Sequence, residues 1–363
     1  MPYNWQHKNW PHFEYDVASF DEQVLHFIMK AGELKGSLAV MPTDQSKEII
    51  AQVLLDEAMK TAEIEGEVMK RLDVMSSIRK NLGLAVAKDA KDKKAIGLSN
   101  MIFEVRKTYS DTLTTAHLFK WHEMLMGNHK HISAGVWRSD DAPMQIISGS
   151  VSKPIVHFEA PPSKSVAKEM DKFIKWYNKQ TSLTSTPPPI IAAIAHLYFE
   201  SIHPFEDGNG RIGRAIAEKA LSQGLNAPLT FSISHAIEYR RSEYYKELGK
   251  AQQTLQINEW IKWFIAMLIE AQQRSEKMIQ LTIKKTRFFE QYGVLLNERQ
   301  RKVINRMLEE IPENFEGGMN AKKYISLTGT SKATATRDLQ ELVELNIFTP
   351  VGGGRSTRYE LKF

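Results

Sequence analysis

The segment spanning residues 203–214 (HPFEDGNGRIGR) constrains this chain most, because it joins two helix-forming stretches through a glycine-framed polar turn. Residues 190–202 carry apolar side chains at three- and four-residue spacing, the pattern of a helix with a buried face. A second helix is predicted to begin near Gly210. Gly208 and Gly210 flank Asn209, so the backbone can adopt left-handed conformations and direct several N–H groups at one anion. The segment therefore predicts two adjoining helices with an anion site at their junction.

The residue types in this segment fit a phosphate ligand. Arg211 and Arg214 lie three residues apart, so a helix places both guanidinium groups on one face, near the positive end of its dipole. Asp207 is a hard oxygen donor of the kind that magnesium uses when it bridges phosphate oxygens. His203 can act as a general base on an incoming hydroxyl. Each residue alone has an ordinary role in a turn or a core, but no turn requires all four together.

The same segment resembles, position for position, the signature of the Fic family, HPFx[D/E]GNGRxxR. Most characterised members of that family transfer the AMP of ATP to a protein hydroxyl. The resemblance implies that His203 deprotonates a Ser, Thr or Tyr hydroxyl and that Asp207 holds Mg²⁺ on the α- and β-phosphates. We group Phe205 with the nucleotide site and expect its ring to anchor the loop. The phosphates would be held by Gly208, Asn209, Gly210, Arg211 and Arg214.

Most of the chain has the periodicity of amphipathic helices. Beyond residues 190–202, helices are predicted at residues 45–59, 68–82, 118–126, 166–180 and 259–280. The amino-terminal aromatic residues resemble an extension that precedes the Fic core in some family members, and we expect them to pack against the bundle rather than bind a ligand. They are Tyr3, Trp5, Trp10, Phe13 and Tyr15.

The periodicity changes near residue 145 and predicts a β-hairpin. Residues 144–149 and 155–158 are the two strands, with a polar connection between them and a Pro-Pro pair after them. This hairpin resembles the flap over the Fic active site, which pairs with a target protein by strand addition. The alternative is an incidental surface hairpin. The target-docking residues implied by the resemblance are Ile146, Ile147, Ser148 and Gly149.

Residues 61–66 match the inhibitory motif of the family, [S/T]xxxE[G/N]. The resemblance implies that the helix carrying this motif packs against the catalytic helix. Glu65 would then pair with Arg214 and restrain the enzyme. An ordinary helix end with Gly66 as its cap would give the same letters, and this is the alternative.

After Gly293 the pattern predicts three helices followed by a hairpin, which is typical of a winged helix-turn-helix domain. Asn297 with Gln300 predicts a capping box for a helix that runs to Ile311. Asn320 is predicted to cap the second helix, and Thr330 or Ser331 the third, which runs to Leu345. Strands are expected at residues 347–351 and 356–363.

The partner of this last domain is left open between DNA and a protein, which includes a second copy of the chain. Winged helices read DNA with the third helix and the hairpin. Residues 297–363 hold eleven Lys and Arg against nine Asp and Glu, a small charge for binding DNA. The candidate DNA contacts are Lys332, Thr334, Thr336, Arg337, Arg355 and Arg358.

Composition sets limits on the rest. At 363 residues the chain is long enough for two or three units, which we place at 1–100, 101–290 and 291–363. The absence of cysteine excludes disulfides and thiolate metal sites. No apolar run is long enough to span a membrane and the amino terminus is not signal-like, so we expect a cytoplasmic protein without a membrane partner. The net charge of +5 favours anionic ligands.

The sequence thus favours a mainly α protein, with a Fic-type helical bundle, a small flap hairpin and a carboxy-terminal winged-helix domain. Its expected function is adenylyl transfer from ATP, with Mg²⁺, to a hydroxyl of a target protein and of itself, under autoinhibition by Glu65. One alternative is a transcription regulator whose Fic core senses nucleotide. Another is a Fic enzyme that transfers or removes a different phosphate-containing group.

Overall fold

The structure, a computed structural model, describes residues 2–150, 153–183, 185–309 and 317–362. In this part of the chain, fourteen α-helices and two two-stranded sheets form two compact units, Met1–Glu276 and Lys277–Phe363. The fold is mainly helical, as predicted. None of the described helices combines the length and the apolar character needed to cross a membrane. The three-part division of the chain stays a prediction.

The first unit is built from helices and one hairpin. The six predicted helices are confirmed, although the second begins at Arg71 because residues 67–70 have no regular structure and Val68 is 97% exposed. The helices before the hairpin are α1 (Asp21–Ala39), α2 (Thr43–Ile64), α3 (Arg71–Asn81), α4 (Lys93–Lys107) and α5 (Thr115–Met126). Those after it are α6 (Ser163–Ser182), α7 (Pro188–Ile202), α8 (Asn209–Gly224), α9 (Ile233–Tyr239), α10 (Arg241–Ala251) and α11 (Asn258–Tyr292), which contains the boundary between the units.

Helix α7 is buried along nearly its whole length. It begins at a proline pair, whose fixed backbone angles suit a first turn, and it has no solvated face. Helix α8 packs beside it and is also buried, although it contains charged residues. One of these, Lys219, donates from Nζ to the carbonyl oxygens of Thr108 and Tyr109, so its burial is compensated by hydrogen bonds. Both helices that flank the loop 203–208 therefore lie in the interior of the unit.

The predicted hairpin is present as strands β1 (Gln145–Ser150) and β2 (Lys153–Glu159), which pair antiparallel. The register shifts by a bulge between Ile146 and Ile147. Phe158 is buried, whereas Ile147 is 58% exposed. The hairpin is thus anchored to the unit at its base and presents apolar surface near its centre.

The amino-terminal aromatic residues pack against the body of the protein, as predicted. The rings of Trp10 and Phe13 lie edge-on to Tyr198 of α7 at 5.0 and 5.8 Å. The ring of Tyr3 lies 5.0 Å from that of Phe158, and Nε1 of Trp5 donates to the carbonyl of Glu159. This stretch therefore fixes both α7 and the base of the hairpin.

The second unit has the predicted order of elements. After the end of α11 come α12 (Glu298–Glu309), α13 (Ala321–Thr328), α14 (Lys332–Glu344), β3 (Phe348–Val351) and β4 (Arg358–Leu361). Asn297 and Gln300 form the predicted capping box, and Asn320 and Ser331 cap the next two helices. The predicted helix end at Ile311 and the strand end at Phe363 lie outside the described residues. Three helices and an antiparallel hairpin form a winged helix.

Candidate active site

The loop between α7 and α8 has two residues in left-handed conformation. His203 has φ 51° and Gly208, which precedes the first turn of α8, has φ 82°. The histidine backbone is strained by about 1–2 kcal/mol in this region, and two contacts hold it there. Nε of Arg138 donates to the carbonyl of His203 at 2.8 Å, and its backbone N–H donates to the carbonyl of Pro204 at 2.9 Å. Sequence analysis missed Arg138, which no motif marks.

The interior of the loop is closed by Asn209 and Phe205. The amide oxygen of Asn209 accepts from the backbone N–H of Phe205 at 2.9 Å, and its Nδ2 donates to the carbonyl of Phe205 at 2.8 Å. The Asn209 side chain therefore stabilises the loop, and the contact of Asn209 with phosphate stays a prediction. The Phe205 ring is fully buried and stacks on His122 at 4.0 Å, so it anchors the loop, as expected.

His122 is a second residue that sequence analysis missed. Its Nδ1 accepts from the backbone N–H of Gly135, and its Nε2 therefore carries the proton and donates to the carbonyl of Asp207 at 3.1 Å. Burial lowers the pKa of His122, which favours this neutral form. The His122 ring thus fixes the backbone of Asp207 through this hydrogen bond.

The His203 side chain has the protonation state that a general base requires. Burial, with the nearby charge of Arg138, lowers its pKa to about 4, so the ring is neutral at neutral pH. Its Nδ1 lies 3.7 Å from Oε2 of Glu200, a buried acid on α7. Burial, with the charge of Glu65, raises the pKa of Glu200 to about 8, so this acid is mostly protonated at neutral pH. The ring keeps 14% of its side-chain surface exposed, enough for contact with a substrate.

Arg214 is 1% exposed and makes the contact predicted for it. Its Nη2 donates to Oε1 of Glu65 at 2.7 Å, and its Nε donates to Oγ1 of Thr61 at 2.8 Å. The carboxylate of Glu65 also lies against the first turn of α8. Its Oε1 is so close to Gly210 that a Cβ at that position would collide with it. An internal anion therefore occupies the place predicted for the phosphates.

Arg211 is equally buried, at 2% exposure, and also pairs with an acid from the chain after α2. Its Nη1 lies 2.6 Å from Oε2 of Glu67, and its Nη2 lies 3.3 Å from Oδ1 of Asp207. Glu67 was not identified from the sequence, where its only signal is its position two residues after Glu65. Both arginines are thus present on α8 as predicted, and both are paired with acids.

The donor set fits a magnesium ion that is bound together with phosphates. The described residues contain no group of three or more acids and histidines that could hold a metal alone. Asp207 is 48% exposed and can supply one carboxylate ligand. Magnesium commonly binds one or two carboxylates and fills its remaining positions with phosphate oxygens and water.

Three parts of the chain match known families. Residues 112–221 match the Fic/DOC family, and the chain therefore contains a Fic/DOC domain. Residues 3–84 match a domain of unknown function, DUF4172. Residues 316–362 match the C-terminal domain of DIP2311-like transcriptional regulators, in agreement with the winged-helix architecture.

Curated relatives with a Fic domain are named protein adenylyltransferases. The protein adenylyltransferase Fic of Nematostella vectensis is 23% identical over 246 residues, which cover 65% of this chain and 52% of the relative. The protein adenylyltransferase fic-1 of Caenorhabditis elegans is 26% identical over 139 residues, which cover 38% of this chain and 25% of the relative. The chain thus spans about half or less of the relatives it matches.

Solved structures show the same fold. A Fic family protein from Desulfovibrio desulfuricans superposes with a TM-score of 0.54 at 19% identity, covering 97% of this chain and 98% of that chain. A Fic domain containing signaling protein from Bacteroides thetaiotaomicron gives a TM-score of 0.54 at 18% identity, covering 72% and 96%. These similarities establish a Fic fold.

Proposed function

We propose that this chain is a protein adenylyltransferase that moves AMP from ATP to a Ser, Thr or Tyr hydroxyl of a target protein and of itself. The observation that carries the proposal is the convergence, on one loop and one helix start, of a neutral His203, the carboxylate of Asp207 and two arginines. The names of the curated relatives support the same chemistry.

In the proposed reaction, His203 accepts the proton of the target hydroxyl through its exposed edge. The hydroxyl oxygen attacks the α-phosphorus, the bond to the bridging oxygen breaks, and pyrophosphate leaves. Arg211, Arg214 and the first N–H groups of α8 neutralise the charge that gathers on the leaving phosphates. Asp207 would hold a magnesium ion, which would supply further positive charge on the phosphate oxygens.

We propose that Glu65 restrains this reaction. Its carboxylate takes the Nη2 of Arg214 and lies against the first turn of α8, so a nucleotide must bind with its terminal phosphate displaced. The α-phosphate then does not present its in-line face to the hydroxyl, and a misplacement of this kind can cost about a hundredfold in rate. Autoinhibition by one acid is therefore sufficient to hold the basal rate low.

We propose that the hairpin of β1 and β2 docks the target protein. Ile147 and Val156 lie opposite each other in the register and are both exposed, which suits an apolar docking surface. Strand addition to a hairpin edge gives main-chain hydrogen bonds and fixes the target hydroxyl in position. Replacing Ile147 by Asp is expected to reduce target modification more than ATP affinity.

Whole-protein mass measurement after incubation with ATP and Mg²⁺ tests the proposed activity. Glu65→Gly is expected to gain AMP about a hundredfold faster than the wild type, and Glu65→Gly combined with His203→Ala should fall back to background. Glu63→Gly is the matched control, because Glu63 lies in the same helix end but pairs with Lys60 and not with an arginine of the motif. Arg214→Ala should not mimic the activation, because it removes a phosphate ligand together with the inhibitor's partner.

Two other outcomes of this experiment discriminate the alternatives. An added mass that corresponds to phosphate or to another nucleotide would keep the site and change the chemistry. Tight ATP binding by Glu65→Gly without any modification would support a nucleotide-sensing core. If Glu65→Gly labels no faster than the wild type at any ATP concentration, the inhibition model is wrong.

A second candidate function is DNA binding by the unit Lys277–Phe363, favoured by the match of its last part to a transcriptional regulator domain. Lys332, Thr336 and Arg337 are exposed on the first turns of α14, where winged helices contact base edges. Gel-shift assays at several salt concentrations test this. No shift at low salt would leave protein interaction or dimerisation, which sedimentation of the full chain measures.

A further inference from the structure

Glu67 lies among three nitrogen donors beside the motif. Its Oε2 lies 2.6 Å from Nη1 of Arg211, and its Oε1 lies 3.7 Å from Nζ of Lys94 and 3.9 Å from Nε2 of His129. The donors come from three elements: α8, the first turn of α4, and the loop after α5. The fold therefore gathers three donors that are far apart in the sequence around a single carboxylate.

Two of the donors, Lys94 and Arg211, lie on helices, whereas the acid lies in a segment without regular structure. The α4 start that carries Lys94 is capped by Asp92, whose side chain accepts from two backbone N–H groups. Glu67 belongs to the four residues without regular structure between α2 and α3, and it directly follows Gly66, which has φ 75°. A segment of this kind can move away at lower cost than a helix. The acid is thus the replaceable member of the cluster.

The buried guanidinium of Arg211 needs an anion beside it. Among the described residues its acidic partners are Glu67 and Asp207, and a bound ligand could take the place of either. Arg211 is 2% exposed, and its Nε has no acceptor among the described residues. Lys94 is 48% exposed, so the cluster opens to solvent on that side. Asp207 contributes only one longer contact, of 3.3 Å, from the other side of Arg211. An incoming anion therefore has a route to the cluster and unmet hydrogen-bonding capacity to fill there.

The cluster adjoins the site where the proposed function requires phosphates. Arg211 touches Asp207, and the neighbouring Arg214 is occupied by Glu65. Glu65 and Glu67, on either side of Gly66, thus neutralise the two arginines with one short segment. A polyphosphate that replaced both carboxylates would meet the two arginines and, beyond them, Lys94 and His129.

We propose that Arg211, Lys94 and His129 form an anion subsite, filled in this state by the carboxylate of Glu67, that receives the terminal phosphates of a polyphosphate ligand when Glu67 withdraws. Lys94 and His129, which lie outside the 203–214 motif, would favour ligands with two or three phosphates over those with one. The identification of the ligand as a nucleoside triphosphate rests on the proposed function. The binding of phosphate groups to the cluster does not.

Calorimetric titration of the full chain with inorganic pyrophosphate tests this subsite. Glu67→Gln removes the competing charge and should tighten pyrophosphate binding roughly tenfold, the value of one charge-assisted hydrogen bond. Adding Lys94→Gln to this variant should weaken the binding again by about threefold. Two matched controls should leave the affinity unchanged. Glu63→Gln removes the same charge from the neighbouring helix end, and Lys93→Gln removes an exposed lysine next to Lys94.

Equal pyrophosphate affinity of Glu67→Gln and Glu63→Gln would overturn the proposal. If Glu67→Gln does not fold, as judged by circular dichroism, Lys94→Gln and Lys93→Gln are compared in the Glu65→Gly background. Lys94→Gln should then bind pyrophosphate about threefold more weakly, and equal affinities would overturn the proposal there too. This assay measures binding and needs no transfer reaction. AMP labelling without the expected changes in pyrophosphate affinity would disprove the subsite but not the proposed function. The expected changes in affinity without any AMP labelling would disprove the proposed function but not the subsite.

Discussion

Buried ionisable groups are satisfied to different degrees at two places in this chain, one in each unit. In the second unit, the carboxylate of Asp338 is buried and accepts four hydrogen bonds, two from Arg299 and one each from Asn297 and Tyr324. In the first unit, Glu200 Oε1 and Arg211 Nε are buried without a partner among the described residues. A fully satisfied network holds a fold together, whereas unmet donors and acceptors around a loop are typical of a site that binds something.

The acidic partners of the arginines also differ between the two units in their distance along the sequence. The ion pairs of Arg211 and Arg214 reach acids 144 and 149 residues earlier in the chain. The α14 arginine, Arg337, is 69% exposed and lies 3.9 Å from Glu341, four residues away. Exposed ion pairs between neighbouring residues contribute little to the free energy of unfolding, and they leave the arginine available to any anion. Under the proposed function, the buried distant pairs would make phosphate binding depend on the position of one segment, 65–67.

The largest loss of activity is expected on substitution of His203. This substitution should impair the transfer reaction in the first unit without impairing ATP binding. In the Glu65→Gly background, His203→Ala should lower labelling by roughly 10²- to 10⁴-fold, the usual cost of losing a general base. ATP affinity measured by calorimetry should change little, because the phosphates are expected to contact α8 and the arginines. His131→Ala, at an exposed histidine, is the control. Normal labelling by His203→Ala would remove the assignment of the base.

Asp207→Ala is expected to lower activity by roughly a hundredfold in the same background, because charge neutralisation by a bound metal contributes several kcal/mol. Asp207→Glu should retain more activity, since it keeps a carboxylate. Labelling is measured over a range of Mg²⁺ concentrations. Identical magnesium dependence in the wild type and in Asp207→Ala would show that this carboxylate does not hold the metal.

Much of the fold was predictable because its signals are local. The capping box of Asn297 with Gln300 and the cap at Asn320 depend on residues three apart, and both are present. Three residues of the site could not be predicted, because their roles arise only after folding. Arg138 and His122 contact carbonyls 65 and 85 residues away, and Glu67 lies directly before a helix that was predicted to begin at residue 68. Residues 67–70 have no regular structure, and from there Glu67 contacts Arg211.

The site shows the same division between motif and fold. The resemblance to the Fic signature assigned roles to eight residues between His203 and Arg214, which stay predictions. The inhibitory motif predicted the contact of Glu65 with Arg214, which is present. The Fic signature also grouped Asn209 with the phosphate ligands, and the structure adds that the Asn209 side chain closes the loop. A short signature cannot distinguish a residue that binds the ligand from one that shapes the loop, because both are equally necessary to the site.

The two units should respond to pH in opposite directions. Burial raises the pKa of Glu200 from 4.5 to about 8, so folding is penalised increasingly as the pH rises between these values. Glu200→Gln should therefore stabilise the first unit by on the order of 2 kcal/mol at pH 8 and by little near pH 5. All seven tryptophans lie in residues 1–276, so tryptophan fluorescence during urea unfolding measures this unit. A pH-independent difference would contradict the assignment.

In the second unit the sign is reversed. Burial acts to raise the pKa of Asp338, but hydrogen bonds from Arg299 and Tyr324 outweigh it and lower the pKa. Its contribution to stability is therefore present above the unfolded-state pKa, near 3.8, and is lost as the pH falls through the folded value. Asp338→Asn should cost about 1–3 kcal/mol at neutral pH, measured by hydrogen exchange in α14. Equal protection of α14 in both proteins would contradict this role.

The smallest effect is expected from removing the winged helix. Deletion of residues 297–363 should leave the labelling rate of the Glu65→Gly variant within about twofold, because the loop, both arginines, both acids and the hairpin all belong to Met1–Glu276. Modification of a target protein can change while self-modification stays constant, and the ratio of the two rates separates a recruiting role from a catalytic one. Loss of self-modification by a folded deletion variant would mean that the second unit contributes to catalysis. The contrast between a first unit with a binding site and a second unit whose buried acid is fully hydrogen-bonded would then not describe their functions.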